Sequence, residues 1–299
     1  MTHREKIENI LFVLNSHAGT GKIEQIKREI QESCKFYGLH DFYIEKKDPD
    51  QASRAIVDQA DQVDLVVSVG GDGSNFWTLN ALMKTRQRNL GLIPLGTGND
   101  FAHALGLKKS IRSQVEGYKR AEKKDIYIGK IQDYYFLNIV SYGFDVCVIE
   151  NYNQMAKESH KKLAYIRAIF KTIRKDFSKF TQANKDWPFI SVLANGSYFG
   201  GGLPIAYQAS PFKPDLDYIQ GHVYKTKDIV RLLAKVFLKN HLTDPAVQLE
   251  EKSQQEITTE EEKIFNIDGE LLPLKGKILV EKPQEKIQLY GAYKHVKGL

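Results

Sequence analysis

Two carboxylates in this chain stand beside glycines, where a turn would lift them out of regular structure. Asp72 lies in Gly70-Gly71-Asp72-Gly73-Ser74-Asn75, directly after the apolar run Leu65–Val69, and Asp268 lies in Ile267-Asp268-Gly269-Glu270. Gly70, Gly71 and Gly73 allow positive φ and close backbone approach. A helix starting near Asn75 would offer free N–H groups to phosphate oxygens. An aspartate there repels a bare phosphate, but becomes favourable with Mg²⁺ between them, because Mg²⁺ takes carboxylates together with phosphate oxygens. The loop therefore suits a Mg-nucleotide, and it equally fits a tight turn that caps a helix. Asp268, with Glu270 two residues on, is the kind of carboxylate that accepts a hydroxyl proton in phosphoryl transfer. Read alone, Asp-Gly is an ordinary hairpin turn.

Two further glycine turns follow strand-like runs. Asn15-Ser16-His17-Ala18-Gly19-Thr20-Gly21-Lys22 comes after Ile10–Leu14. It is not a P-loop, since Ser16 and Ile23 occupy the positions of the required glycine and of the Ser/Thr after the lysine. It still presents backbone N–H groups at a helix start. Pro94-Leu95-Gly96-Thr97-Gly98-Asn99-Asp100-Phe101-Ala102 offers Asn99 or Asp100 as a cap and the Thr97 hydroxyl to a phosphate. Three such loops on strands of one sheet converge on one crevice, where open α/β sheets bind ligands.

The elements that must carry these loops follow from the apolar pattern. Strands are expected at Ile10–Leu14, Phe42–Glu45, Leu65–Val69 and Leu90–Pro94, and helices at Lys22–Tyr37, Ala52–Ala60, Asn75–Met83 and Asp100–Leu105. This alternation implies a parallel sheet flanked by helices. From Asp125 onward the strands come in pairs: Ile126–Ile131 with Tyr135–Ser141, then Phe189–Asn195, Tyr218–Tyr224, Lys263–Ile267, Lys277–Val280 and Lys286–Tyr290. They imply an antiparallel β-rich domain, interrupted by helices at Lys157–Phe180 and Lys227–Asn240. The acidic stretch Leu249–Lys263 reads as a solvated hairpin or loop.

The chain has 299 residues, 42% hydrophobic and 27% charged, enough apolar material for about two domains. Cys34 and Cys147 show no metal or redox spacing, which fits a reducing compartment. The first residues do not read as a signal peptide, and no run approaches the ~20 apolar residues of a membrane span. The net charge of +6 suits nucleic acid, anionic lipid or phosphorylated substrates. No helix-turn-helix, zinc or RNA-binding signature supports a nucleic-acid partner.

Taken together, these residues resemble the diacylglycerol kinase-like lipid kinases, the family of soluble bacterial diacylglycerol kinases and of sphingosine and ceramide kinases. The resemblance covers nearly the whole chain: the Asn15–Gly19 loop, "GGDGS" at 70–74, "PLGTGNDFA" at 94–102, "KKDIYIGKI…YYFLNIVSYGFDVCV" at 123–148, "KKLAY" at 161–165 and "IDGE" at 267–270. "GGDG" is shared with NAD kinases and phosphofructokinases; its combination with "PLGTGNDFA" and the late "DGE" is specific to the lipid kinases. The resemblance implies an N-terminal parallel α/β nucleotide-binding domain of the NAD kinase/phosphofructokinase kind over 1–126. An antiparallel β-rich sandwich domain for the lipid would follow over 127–299, the last strand at about 288–299 being a candidate to return to the first domain. It implies ATP as phosphate donor, held by Asn15, Ser16, His17, Ala18, Gly19, Gly70, Gly71, Asp72, Gly73, Ser74, Asn75, Thr97 and Asn99. Asp72 would belong to the Mg²⁺-nucleotide site, Asp125 would assist at the reaction centre, and Asp268 would activate the lipid hydroxyl with Glu270 beside it.

The chain departs from the family pattern at three places. Ser74 replaces the usual threonine and keeps its hydroxyl, and Lys46 stands at a position that often holds a nucleotide-contacting threonine. The accessory Mg²⁺ stretch of bacterial members reads here Asp215-Leu216-Asp217-Tyr218-Ile219-Gln220, without its glycine and its last aspartate, so Asp215 and Asp217 are left as a weakened metal site.

An amphipathic stripe of Leu163, Ile166, Phe170, Ile173, Phe177 and Phe180, flanked by lysines and arginines, could lie on an anionic bilayer or pack on the β domain. Lys227–Asn240 poses the same choice. The expected activity is an ATP-dependent lipid kinase, cytoplasmic and peripheral to the membrane, with diacylglycerol as the default acceptor. The alternatives are a soluble-substrate kinase of the NAD kinase kind and a non-catalytic lipid-binding protein. Oligomeric state, a homodimer included, is not legible.

Overall fold

The computed structural model describes residues 6–15, 22–46, 48–96, 98–155, 165, 167–175, 188–223 and 225–294. The chain forms two units, Met1–Tyr127 with Glu285–Leu299, and Ile128–Gln284.

The first unit is built on six strands: β1 (Asn9–Asn15), β2 (His40–Lys46), β3 (Leu65–Gly70), β4 (Asn89–Pro94), β5 (Lys123–Tyr127) and β14 (Lys286–Tyr290), in the order β2-β1-β3-β4-β14-β5. All neighbours are parallel except β14 and β5. Every residue of β3 is buried, Ser68 included. This is why its sequence shows no polar alternation: helices cover both faces of a parallel sheet. Those helices are α1 (Ile23–Tyr37), α2 (Pro49–Gln59), α3 (Asp72–Leu82), α4 (Asp100–Ala104) and α5 (Ile111–Lys119). Local chemistry fixes their ends. The Asp48 side chain accepts from the Gln51 N–H at the start of α2, with Pro49 next. Gly38 closes α1 in the left-handed region at φ 64°. Ile10, Phe12, Leu65, Val67, Ile93, Tyr118 and Tyr290 form the core.

The second unit is an eight-stranded antiparallel sheet. Its strands are β6 (Gly129–Ile131), β7 (Tyr134–Phe136), β8 (Ile139–Gly143), β9 (Ile190–Ala194), β10 (Leu216–Gly221), β11 (Val247–Lys252), β12 (Gln254–Ile267) and β13 (Glu270–Glu281), ordered β11-β10-β9-β8-β12-β13-β6-β7. Helix α6 (Phe144–Met155), the helical residues 167–175 (α7) and α8 (Thr226–Phe237) supply apolar faces. Phe144, Val148, Ala168, Ile169, Ile173 and Ile229 pack with Phe189 and Leu203.

Several expectations change in detail. The run Ile126–Ile131 is not one strand: its first part pairs with β14 in the first sheet and its last part with β13 in the second. Leu249–Lys263 is neither a hairpin of its own nor a loop, because β11 pairs with β10 and β12 with β13. Helix α3 begins at Asp72, three residues before Asn75, with Gly71 as its extended N-cap. A carboxylate in the first turn is favoured by the helix dipole, which offsets the poor helix propensity of Gly73.

The amphipathic stripe is also corrected where it is described. Tyr165, Ala168, Ile169, Thr172 and Ile173 are buried, a spacing of three and four, while Phe170 is 49% exposed. Ile173 alone of the described stripe residues faces the core. Leu163, Ile166, Phe177 and Phe180 lie outside the described residues.

Candidate functional site

In the first unit the loops after β3 and β4 lock together. The N–H groups of Leu95 and Gly96 both donate to the Gly70 carbonyl, at 2.9 and 3.1 Å. Gly96 sits so close to Gly71 that a Cβ on it would fall 2.4 Å from the Gly71 Cα. Asn99 adopts a left-handed φ of 51°, sends its side-chain amide to the Gly96 carbonyl and gives its own carbonyl to the His103 N–H, which starts α4. The Asp72 carboxylate reaches across to the Asp100 N–H at 3.4 Å. Asp72 Oδ2 and Asp100 Oδ2 both lie beside Gly98, at 2.9 and 3.8 Å from where a Cβ on it would be. Two carboxylates at two helix N-termini suit a hard cation that also takes phosphate oxygens. The residues present therefore fit Mg²⁺ shared with a nucleotide.

Of the expected nucleotide residues, Gly70, Gly71, Asp72, Gly73, Ser74, Asn75 and Asn99 belong to this pair of loops. Asn75 is buried and its N–H bonds the Gly71 carbonyl. Ser74 lines a small cleft with Lys46, Pro49, Ser53 and Trp77. Lys46 is thus positioned on the same cleft as the serine of the glycine loop. Ser16, His17, Ala18, Gly19 and Thr97 lie outside the described residues, as does the side chain of Asn15. Asp125 is exposed on β5, opposite Gln288 of β14.

In the second unit Asp268 and Gly269 form the two-residue turn of the β12–β13 hairpin, with φ of 51° and 99°. Positive φ at both central residues is the type I′ requirement, so Asp-Gly is both a hairpin signal and a way to aim the carboxylate. Asp268 is 8% exposed, and its oxygens accept the N–H groups of Leu137 (2.7 Å), Asn138 (2.9 Å) and Ile139 (2.8 Å). Burial pushes its carboxyl up to about 6, helped by the nearby Glu270 charge and opposed by those three N–H groups. Among the described residues these N–H groups take three of its four acceptor positions, two on Oδ1 and one on Oδ2. Glu270 opens β13 across the turn from Ile267.

A buried polar network around this turn escapes a reading for glycine loops. Asn266 accepts the Gly269 N–H at 2.8 Å and donates to Ser141 Oγ (2.8 Å) and Asp145 Oδ2 (3.3 Å). Ser141 also donates to Asp145. Asn195 donates to the Leu137 carbonyl, and Asn138 to that of Tyr198. The available signal was polar residues inside otherwise apolar strands: Asn138 and Ser141 in "LNIVSYG", and Asn266 in "IFNI". Asp145 is 3% exposed, and burial pushes its carboxyl up to about 6 against the pull of Ser141 and Asn266.

Asp145 stands in the wall of an apolar cavity of about 130 Å³. Much of the rest of that wall comes from α6 (Phe144, Val148), α7 (Ile169), α8 (Leu232, Leu233, Val236), the sheet (Val192, Ile219) and Phe189 just before β9. Among the described residues lining it, Asp145, His241 and Tyr165 are the ionisable ones.

The weakened metal stretch has a different neighbour. Asp217 is 2% exposed, and the Lys282 ammonium bonds the carbonyls of Ser210 (3.1 Å) and Asp215 (3.0 Å). Burial pulls Lys282 down to about 8, while Asp217 and Asp215 hold it up. Among the described residues no group of three or more His, Cys, Asp or Glu side chains could hold a metal ion.

Comparison with known proteins bears on both units. A family model described as "Diacylglycerol kinase catalytic domain" matches residues 9–131, and one described as "YegS C-terminal NAD kinase beta sandwich-like domain" matches residues 138–285. The chain is 29% identical over 196 residues to a Staphylococcus epidermidis protein named "Putative lipid kinase", spanning 62% of this chain and 62% of that protein. It is 27% identical over 231 residues to a Klebsiella pneumoniae protein named "Probable lipid kinase YegS-like", spanning 74% and 76%. A Staphylococcus saprophyticus protein named "Diacylglycerol kinase" is 29% identical over 141 residues, 47% of this chain and 44% of its own length. A Bacillus anthracis crystal structure described as a diacylglycerol kinase shares the fold, with TM-score 0.69 and 19% identity, over 97% of this chain and 98% of its own.

Proposed function

Because the chain joins both matched domains and so belongs to the diacylglycerol kinase-like lipid kinases, we propose that it transfers the γ-phosphate of ATP to the hydroxyl of a membrane lipid. Diacylglycerol, giving phosphatidic acid, is the first candidate acceptor. The observation that carries this reading is the cavity in the second unit, walled almost wholly by Phe, Ile, Leu and Val side chains. Such walls accept hydrocarbon, whereas a dinucleotide substrate would leave its polar groups without partners there.

The roles of the residues follow from their chemistry. The loops around Gly71 and Gly96 present N–H groups at two helix starts, where phosphate oxygens are favoured. When bound beside Asp72 and Asp100, Mg²⁺ would neutralise charge on the nucleotide phosphates. Asp268 takes the proton as the lipid hydroxyl oxygen bonds the γ-phosphorus and ADP departs with the electrons of the broken P–O bond. The Asn266, Asn138 and Asn195 network holds the Asp268 turn in place. The test is phosphate transfer from Mg-ATP to one lipid at a time in mixed micelles. Saturable transfer to diacylglycerol is expected; phosphorylation of NAD with no lipid product would replace this reading with the soluble-substrate one.

The cavity makes a separate prediction. Leu233→Trp should fill it and exclude part of an acyl chain. Each excluded methylene costs about 0.8 kcal/mol, so losing two or three raises KM for long-chain lipid about 15- to 60-fold. A short-chain analogue that never reaches Leu233 should be unaffected, and an equal loss for both would remove the cavity from the acyl path.

Among the described residues no helix is long and apolar enough to cross a membrane, so the enzyme is proposed to work peripherally at an anionic bilayer. Support comes from the end of α8, where Phe237 and Leu238 are 53% and 72% exposed beside Lys239. Arg231 and Lys235 of the same helix are engaged with Asp244 and contribute less. Phe237→Ser with Leu238→Ser should lower affinity for anionic vesicles about tenfold or more in a flotation assay. Flotation unchanged by the pair, or indifferent to anionic lipid, would move the contact away from α8.

A further inference from the structure

The corner of the second unit where β10 starts, and where bacterial relatives are expected to carry an accessory Mg²⁺, does not fit a divalent metal in this chain. Mg²⁺ demands near-octahedral oxygen ligands at about 2.1 Å, and Ca²⁺ six to eight oxygens. Here the Asp215 carbonyl already accepts the Lys282 ammonium at 3.0 Å, as the Ser210 carbonyl does at 3.1 Å, so neither oxygen is open to a metal ion. Lys282 is 3% exposed and Asp217 2% exposed, so neither charge is satisfied by bulk water. Lys282 is also anchored through its backbone, its N–H donating to the Ser253 carbonyl at 2.8 Å. No divalent ion fits beside a buried ammonium without two cations competing for the same oxygens.

We propose that the Lys282 ammonium is the built-in cation of this corner, tying the loop before β10 to the end of β13, and that the Asp215–Asp217 stretch binds no divalent metal. The physical logic is charge compensation. Asp217 lies at the buried start of β10, and its Oδ2 accepts no hydrogen bond among the described residues. A carboxylate in that position needs a cation near it. A lysine supplied from the neighbouring hairpin meets the need covalently, whereas a metal must be captured from solution. Lys213 also attracts Asp217, but its side chain is 45% exposed and it bonds Glu251 at 3.0 Å, so Lys282 is the buried cation of the corner. The missing glycine and last aspartate of the stretch, which would otherwise be losses, are then the counterpart of a gained lysine.

The test uses the full chain without nucleotide and reads thermal unfolding. Wild type should melt within about 1 °C of the same temperature in millimolar Mg²⁺, millimolar Ca²⁺ or EDTA. Lys282→Met keeps the length of the stem, removes the buried charge that favours ionised Asp217 and frees the Ser210 and Asp215 carbonyls, and should lower Tm by about 6 °C or more. Asp217→Asn with Lys282→Met removes both charges and should recover part of that loss, a non-additivity that a mere packing defect would not produce. Should Lys282→Met fail to fold, wild type and Asp217→Asn alone still decide the matter. A divalent-dependent rise in wild-type Tm that Asp217→Asn abolishes overturns the proposal. A rise that survives Asp217→Asn belongs to another part of the molecule and leaves this corner metal-free, as expected. Lys282→Met as stable as wild type, or fully additive in the double variant, also overturns it.

Discussion

Asp268→Asn is expected to lower phosphate transfer about 10²–10⁴-fold, the usual worth of a positioned general base, and to do so with only a modest loss of stability. The two effects must be separated because Asp268 also has a structural task, accepting the N–H groups of Leu137, Asn138 and Ile139. An asparagine can keep its oxygen on the Asn138 and Ile139 pair, but its amide then faces the Leu137 N–H, leaving one buried donor unpaired at a cost of about 1–3 kcal/mol. Asn266→Ala provides the comparison. It removes the acceptor of the Gly269 N–H and so loosens the same turn, yet takes nothing from the reacting hydroxyl. If Asp268 is the base, Asp268→Asn loses far more activity than Asn266→Ala at a similar loss of Tm. If the carboxylate only ties the turn, the two variants lose activity in step with Tm.

The pH dependence adds an independent sign. Burial raises Asp268 from 3.8 to about 6, so the folded state binds more protons than the unfolded state between these values. The associated stability is fully present below pH 4 and is lost as pH rises through about 6, and Asp145 adds a contribution of the same sign. Activity runs the other way, because only the deprotonated carboxylate accepts a proton. Transfer should therefore climb through a limb near pH 6 over the window in which these two groups make the fold less stable. A limb that tracked the melting curve instead would assign the pH effect to folding.

How far the sequence reveals this arrangement depends on which contacts decide each element. Leu65–Val69 is legible because a strand covered on both faces is apolar at every position, whatever its neighbours. The run Ile126–Ile131 is not, because alternation shows a strand without its partner, and the break between two sheets leaves no mark on it. The stretch Leu249–Lys263 conceals strands for another reason: its burial alternates only partly, and Glu260, Glu261 and Glu262 occupy the irregularity between Thr259 and Lys263 where pairing with β13 shifts register. The glycine loops announce themselves through composition, and so does the Asp-Gly turn. Asp145 does not, since a single aspartate after "YGF" gains meaning only when Ser141 and Asn266 are brought to it from two different strands. Phe170 shows the limit of periodic reading: a stripe spaced at three and four can be drawn through it, but the face that packs lies one residue to the side, through Ile169 and Thr172.

The loops of the first unit offer the second large effect, and glycine substitution there separates fit from chemistry. Gly96→Ala would place a Cβ 2.4 Å from the Gly71 Cα, 2.8 Å from Asn99 Oδ1 and 3.1 Å from the Gly71 nitrogen. Two of these atoms are backbone, and the loop cannot retreat freely because the Leu95 and Gly96 N–H groups are both held on the Gly70 carbonyl. Overpacking of this kind costs about 1–3 kcal/mol. The displacement falls on N–H groups proposed to meet phosphate, so ATP affinity should fall with it, by about 10- to 100-fold. Gly98→Ala is the informative partner. Its Cβ would meet Asp72 Oδ2 at 2.9 Å, a side-chain atom that can swing aside. Stability should then be nearly kept while the Mg²⁺ concentration needed for half-maximal transfer rises, because the carboxylate that gives way is the one placed to share the cation with the nucleotide. Calorimetric titration with ATP, and transfer measured against Mg²⁺ concentration, would read the two variants apart. Equal losses of stability and of ATP affinity in both would mean that Gly98 serves the packing of the loops rather than the placement of Asp72.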